Sequence, residues 1–167
     1  ANGCTFPLNS IIVNNPPAIS LTVSATAVLC NGQSTGSITF NTFGGTAPLN
    51  YLITSNNPSI SGVISSISST NTVISNLPAG NYTVLITDAN SCTNSVVITI
   101  NQPPILTLTG VVTNVLCKGT STGAITTTLT GGVGPYTYNW TPGGSINNLT
   151  GIPAGNYTLI VSDLNGC

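Results

Sequence analysis

The chain closes on IPAGNYTLIVSDLNGC, residues 152–167, and LPAGNYTVLITDANSC at residues 77–92 is nearly the same sentence. In the earlier copy Tyr82, Val84 and Ile86 alternate with polar or outward positions. Alternation of this kind marks a half-buried strand. A Gly corner precedes it, and an Asp turn and a Cys follow it. The segment therefore reads as a strand held between two turns, written twice.

The repetition extends outward. CNGQSTGSITFNTFGGTAPLNYLIT begins at Cys30 and CKGTSTGAITTTLTGGVGPYTYNWT at Cys117, and the two match without a gap through Thr54 and Thr141. Cys, Gly-Gly, Pro and Tyr fall in register, with Tyr51 opposite Tyr138. The second copy is shorter in the middle, around SNNPSISGVISSISST (55–70), which is expected to be a loop or an optional hairpin. A third, partial copy stands in front. ANGC (1–4) matches ANSC (89–92), and SIIVNNPPAISLTV (10–23) matches SVVITINQPPILTLTG (95–110). The expected division is the last strand of a preceding repeat at 1–16, a complete repeat at 17–103, and a repeat lacking its last strand at 104–167. The orphan strand itself is placed at 5–15.

Composition agrees with strands. Of 167 residues only 2% are charged, where soluble domains carry about 25%. Yet 40% are hydrophobic, so the chain is not one that stays unfolded for want of a core. Thr, Val, Ile and Tyr favour strands, and Asn, Gly and Pro favour turns. The charge count also excludes partners and chemistry. One Lys and no Arg cannot track a phosphate backbone, so nucleic acid is not an expected partner. Without His or Glu, and with two distant Asp, general acid–base catalysis has almost no candidates. No cofactor or metal site is expected, because carboxylates are too few for calcium and Cys and His are not grouped for zinc. No apolar run reaches the roughly 20 residues of a membrane helix. The opening ANGCTFPLNS lacks the basic and apolar regions of a signal peptide, so a mature chain or an excerpt is expected.

Within one repeat, alternation and turn signals give about six or seven short strands. Ile19, Leu21 and Val23 share a face of the first; Ile38, Phe40 and Thr42 share a face of the second. PLNYLIT and PYTYNWT are third strands, with Tyr51 and Ile53 matching Tyr138 and Trp140. Short strands separated by regular turns predict an all-β fold of tandem immunoglobulin-like β-sandwich repeats. Tyr82 and Tyr157 follow a Gly corner at the start of a late strand, the place of a tyrosine corner, so each hydroxyl is expected to bond backbone. Trp140 is expected in a core rather than on a ligand-stacking surface, as are Tyr51 and Tyr138.

Five cysteines in so uncharged a chain suggest an oxidising compartment. Each repeat has one Cys before its second strand and one after the Asp turn. The expected bridges are Cys30–Cys92 and Cys117–Cys167, each contributing about 4 kcal/mol by loop-closure entropy. Cys4 is left for a repeat upstream. Asp88 and Asp163 occupy the same place in TDANSC and SDLNGC. Neither has a second carboxylate beside it, so Asx-type turns are expected rather than metal or acid–base roles. Lys118 stands where the other repeat has Asn31, which argues against an isopeptide staple common to both.

The pattern C-x-G-x-S-T-G-x-I-T, then GG-x-x-PYTYNW, then PAGNYT-x-x-x-x-D-x-NGC resembles the SprB-type repeat of large cell-surface gliding-motility adhesins. GPYTYNW and AGNYTLIVSDLNGC carry the resemblance best; APLNYLI and the longer middle depart from it. The resemblance implies a non-enzymatic repeat of an extracellular filament, exported by type IX secretion and serving adhesion or gliding, with no catalytic residue to carry over. The expected function is a disulfide-stapled stalk whose partners are neighbouring repeats of the same protein. Two alternatives remain. Further copies of the chain could polymerise by donating strand 5–15, or the sandwiches could bind surface polysaccharide, for which Phe6 and Phe43 are the only spare aromatics.

Overall fold

The structure is a computed structural model that describes residues 12–57 and 71–167. The expected orphan strand at 5–15 lies outside it, except that residues 12–15 carry no regular structure, and most of the 55–70 stretch lies outside it too. Cys4 and Phe6 are likewise outside the described residues.

The first repeat is built from β1 (Ser20–Thr26), β2 (Gly36–Phe43), β3 (Asn50–Ser55), β4 (Asn71–Leu77), β5 (Gly80–Thr87) and β6 (Thr93–Ile100). The second is built from β7 (Thr107–Thr113), β8 (Gly123–Thr130), β9 (Thr137–Thr141), β10 (Leu149–Ile152) and β11 (Thr158–Ser162). The described residues contain no helix, so the fold is all-β. Strand β2 pairs antiparallel with β1 and β4, and β5 with β3 and β6. In the second repeat β8 pairs with β7 and β10, and β9 with β11.

The alternating residues meet between the two sheets of the first repeat. Ile38 and Phe40 of β2 face Tyr51 and Ile53 of β3, Tyr82, Val84 and Ile86 of β5, and Ile100 of β6, all buried. The Phe40 and Tyr51 rings lie 5.0 Å apart and tilted. Leu21, Val23 and Ala25 of β1 pack against this core from its edge. Full burial of one such side chain contributes about 1.5–3 kcal/mol, so this sandwich has a core of its own.

The second repeat repeats the plan with one strand fewer. Strand β6 has no counterpart beside β11 among the described residues. Trp140 and Leu149 are buried, but Tyr138, Leu159 and Val161 are only half-buried. Strand β7 is exposed along its whole length.

Both Gly-Gly turns are the same piece of machinery. Gly44, Gly45, Gly131 and Gly132 all have φ between 64° and 75°, a left-handed conformation that other residues avoid. A Cβ on Gly44 would collide with the Ala18 carbonyl oxygen, and one on Gly131 with that of Ile105. The turn thus presses on the segment that leads into each repeat. Gly45 N–H donates to Pro17 O at 3.0 Å, and Gly132 N–H to Pro104 O at 2.9 Å. Each Pro-Pro connector is thereby tied to the repeat that follows it.

Candidate functional site

The candidate site is the joint between the two repeats. It is assembled from four segments: the Cys30 turn, the Pro-Pro connector after β6, the Gly131-Gly132 turn, and the Asp163 turn.

The Cys30 turn extends from the end of the first sandwich reached by β1. Gln33 N–H donates to Cys30 O at 3.1 Å, Leu29 N–H to Thr35 Oγ1 at 2.8 Å, and Gly32 takes φ 77° to close it. The connector leaving β6 passes beside it. Val28 N–H donates to Asn101 O at 3.0 Å, Gly32 N–H to Gln102 Oε1 at 3.0 Å, and Asn31 Nδ2 to Pro103 O at 2.9 Å.

The other face of the joint is the Asp163 turn. Its Oδ1 accepts from Asn165 N–H and Cys167 N–H, each at 2.9 Å, and its Oδ2 from Val133 N–H at 2.9 Å. Asp88 does the same in the first repeat, with Oδ1 accepting from Asn90 and Cys92 and Oδ2 from Thr46. The Thr46 N–H is the largest influence holding the Asp88 carboxyl below its ordinary value, and the Cys167 N–H does so for Asp163. Each carboxylate is buried and spent on backbone N–H groups, which fixes the cysteine four residues on. Asn165 then reaches across, its Nδ2 donating to Leu29 O at 2.9 Å.

These two faces are joined covalently. Cys30 is bonded to Cys167, with Cα atoms 5.7 Å apart, while Cys92 and Cys117 are free and exposed. The expected bridges Cys30–Cys92 and Cys117–Cys167 are therefore corrected: Cys30 pairs with Cys167, between repeats rather than within them. The reason is the length of a strand. Cys92 lies at the start of β1, where Asn94 Nδ2 donates to Ile19 O. Cys30 follows the far end of the same strand. Seven strand residues at about 3.3 Å each put the ends on the order of 20 Å apart, against about 7 Å that a disulfide spans between Cα atoms. Strand β7 separates Cys117 from Cys167 in the same way.

Tyr136 reaches the joint, its hydroxyl donating to Gly131 O at 2.7 Å, and the aromatic residues expected in the cores lie on the strands and corners. Tyr82 donates its hydroxyl to Pro78 O at 2.8 Å, and Tyr157 to Pro153 O at 3.1 Å. Tyr51 is buried and its hydroxyl donates to Thr42 Oγ1 at 3.0 Å. Trp140 is buried with its Nε1–H donating to Ile146 O at 2.9 Å. Tyr138 is half-buried on β9. Phe43 is 64% exposed at the end of β2. Reading the residues alone missed the joint partners Asn31, Gln102 and Asn165. Their only signal is position, beside a Cys or a Pro-Pro pair.

Among the described residues no cluster of three His, Cys, Asp or Glu could hold a metal ion, and no helix is long and apolar enough to cross a membrane. No curated protein matches the chain. Residues 19–58, which carry β1 to β3, and 109–145, which carry most of β7 to β9, both match the SprB repeat family, so the chain contains two SprB-type repeats, one in each sandwich.

Proposed function

We propose that the chain is a segment of the stalk of an extracellular filamentous adhesin, serving surface attachment or gliding motility. SprB repeats are structural repeats of cell-surface gliding-motility adhesins, which supports a surface location and a non-enzymatic role. The order β1-β2-β4 facing β3-β5-β6 supports an immunoglobulin-like reading of the sandwich. The observation that carries the stalk reading is the joint. Two successive repeats are held by a disulfide and by the Asn165 hydrogen bond across it, while Asn31 and Gly32 tie the connector to the first repeat. A bond from one repeat to the next restricts bending, which a spacer needs and a freely hinged string lacks. Strands rise about 3.3 Å per residue, so each link adds roughly 30–40 Å. Small-angle scattering of the chain before and after reduction tests this. An elongated particle that becomes more flexible on reduction is expected; a compact particle unchanged by reduction rules the stalk out.

A second reading has its own observation. A cleft of about 520 Å³ opens between the end of β7, β8 and the turn that leads into β11, lined by Val112, Gly123, Ile125 and Tyr157. In the first repeat Gly36 stands at the position of Gly123, and Ile100 of β6 lies where a Cβ on Gly36 would meet it at 2.7 Å. The cleft thus has the place of a missing β6. Residues 5–15 of a further copy match β6 in sequence, which supports strand donation between copies. Light scattering with rising concentration tests it. Fibres that vanish on deletion of residues 1–15 support donation; a monomer throughout leaves the strand to come from a following repeat. Among the described residues polysaccharide binding has only the exposed ring of Phe43 to support it, and a glycan array is expected to stay blank.

A further inference from the structure

Each repeat has two ends, and only one of each is used at the joint. The first repeat uses its Cys30 turn there, which leaves the Cys92 end open. The second uses its Asp163–Cys167 end, which leaves the Cys117 turn open. These open ends are copies of the closed ones.

The Cys117 turn is already shaped like the Cys30 turn. Thr120 N–H donates to Cys117 O at 3.2 Å, Leu116 N–H to Thr122 Oγ1 at 2.9 Å, and Gly119 takes φ 82°. All three features have counterparts at Cys30. At the other end, Cys92 lines a cleft of about 470 Å³ together with Asn15, Pro16, Pro17 and Asp88. The counterpart cleft at the joint is lined by Pro103, Pro104, Asp163 and Cys167. There, however, Cys30 and Asn31 of the neighbouring repeat fill it, and only about 180 Å³ remains. The cleft at Cys92 therefore has the composition of the joint and the space of the missing turn. Asn90 agrees. Its counterpart Asn165 donates across the joint to Leu29 O, whereas Asn90 Nδ2 donates within its own repeat to Thr46 Oγ1.

We propose that Cys92 and Cys117 are half-sites for further joints of the same kind. Cys117 bonds the cysteine of the Asp turn in the repeat that follows, and Cys92 bonds the first-turn cysteine of the repeat that precedes. The proposal rests on the stalk reading and adds to it a continuous ladder of disulfides along the stalk. Lys118 takes the place of Asn31 and donates to the connector carbonyl that Asn31 would reach. In each step two thiols lose two protons and two electrons to a disulfide oxidant such as glutathione disulfide, which leaves as two glutathione thiols. Asn15, in the position of Gln102, supplies the side-chain acceptor for the glycine N–H of the incoming turn.

The test joins the full chain to a second copy, with Cys167 of the first followed directly by Thr5 of the second. This reproduces the Cys-Thr step found at Cys92-Thr93. The fusion is folded in a glutathione redox buffer, digested with pepsin at low pH and mapped without reduction. Linkage of the first copy's Cys117 to the second copy's Cys92 is expected, with the outermost Cys92 and Cys117 still open to maleimide. Linkage of Cys117 to Cys167 of its own copy, or both inner thiols open to maleimide, overturns the proposal. Cys117→Ser in the same fusion should lose that link alone and keep the far-ultraviolet circular dichroism. If the fusion is insoluble, the single chain at rising concentration is mapped instead, and the same Cys117–Cys92 link between copies decides. Scattering on the same sample separates the two readings. An elongated particle with free inner thiols leaves the stalk and removes the ladder; a compact particle with the link does the reverse.

Discussion

The two repeats share a plan and differ by one strand, and the difference shows what that strand does. In the first, β6 lies beside β5 and against β1, and Leu21, Val23 and Ala25 pack on the core. Their counterparts on β7 are Leu108, Gly110 and Val112; Leu108 is 39% and Val112 64% exposed. On the neighbouring strand Val84 and Ile86 are fully buried, whereas Leu159 and Val161 are half-buried. A single edge strand therefore closes the sandwich on both sheets. It pairs with one and shields the other.

The comparison breaks most readily in the core. Ile86→Ala should cost about 2–5 kcal/mol, because the site is fully enclosed. Val161→Ala, at the matching position of the open repeat, should cost less than about 1.5 kcal/mol, since neighbours can relax and water can enter. Trp140 is the only Trp and lies in the second repeat, so its fluorescence in urea reports that repeat while circular dichroism reports both. Equal costs at the two positions would remove the distinction drawn between the repeats.

Supplying the absent strand should sharpen it. A peptide of residues 93–103 added in excess is expected to raise the urea midpoint of Trp140 and protect β11 amides from exchange. At a hundredfold excess over its Kd the gain is about 2.7 kcal/mol. No protection of β11 would mean that the cleft beside Gly123 does not accept a strand.

Acid should act on both repeats alike. Asp88 and Asp163 are held below the ordinary value of 3.8 by backbone N–H donors, so their stabilisation is complete above that value and is lost as pH falls through the lower folded value. Asp88→Asn and Asp163→Asn should lower stability at neutral pH and flatten its fall in acid, as thermal melts across pH would record. An unchanged acid profile in both variants would place the acid sensitivity elsewhere.

The smallest difference expected is at the tyrosine corners. Tyr82→Phe removes the bond to Pro78 O from a buried ring and should cost about 1 kcal/mol. Tyr157→Phe, where the bond to Pro153 O is exposed to water, should cost a few tenths. Burial also raises the Tyr82 hydroxyl above its ordinary value, and a spectroscopic titration compared with that of Tyr82→Phe should show the Tyr82 phenol ionising late.

Strand positions were legible because alternation is local. Ile38, Phe40 and Thr42, or Tyr82, Val84 and Ile86, announce one face without any knowledge of what covers it. The Asp turns were legible for the same reason: Asp88 bonds its own next few residues. The pairing of the cysteines was not legible. Repeat phase sorts them into two kinds, but not to which end of a sandwich each kind goes. That depends on β1 carrying the chain from the Cys92 end to the Cys30 end, which is a matter of three dimensions. Asn165 was silent for a like reason, since its acceptor Leu29 lies in another repeat.

The bond from Cys30 to Cys167 turns everything between them into a closed ring of polypeptide. A tether made of one strand of backbone fails at its first cut. Here a peptide bond severed at any single position inside the ring leaves two fragments still covalently attached, and tension passes through sulfur instead of through the connector. Built this way, a link can be damaged by a protease without the line being lost.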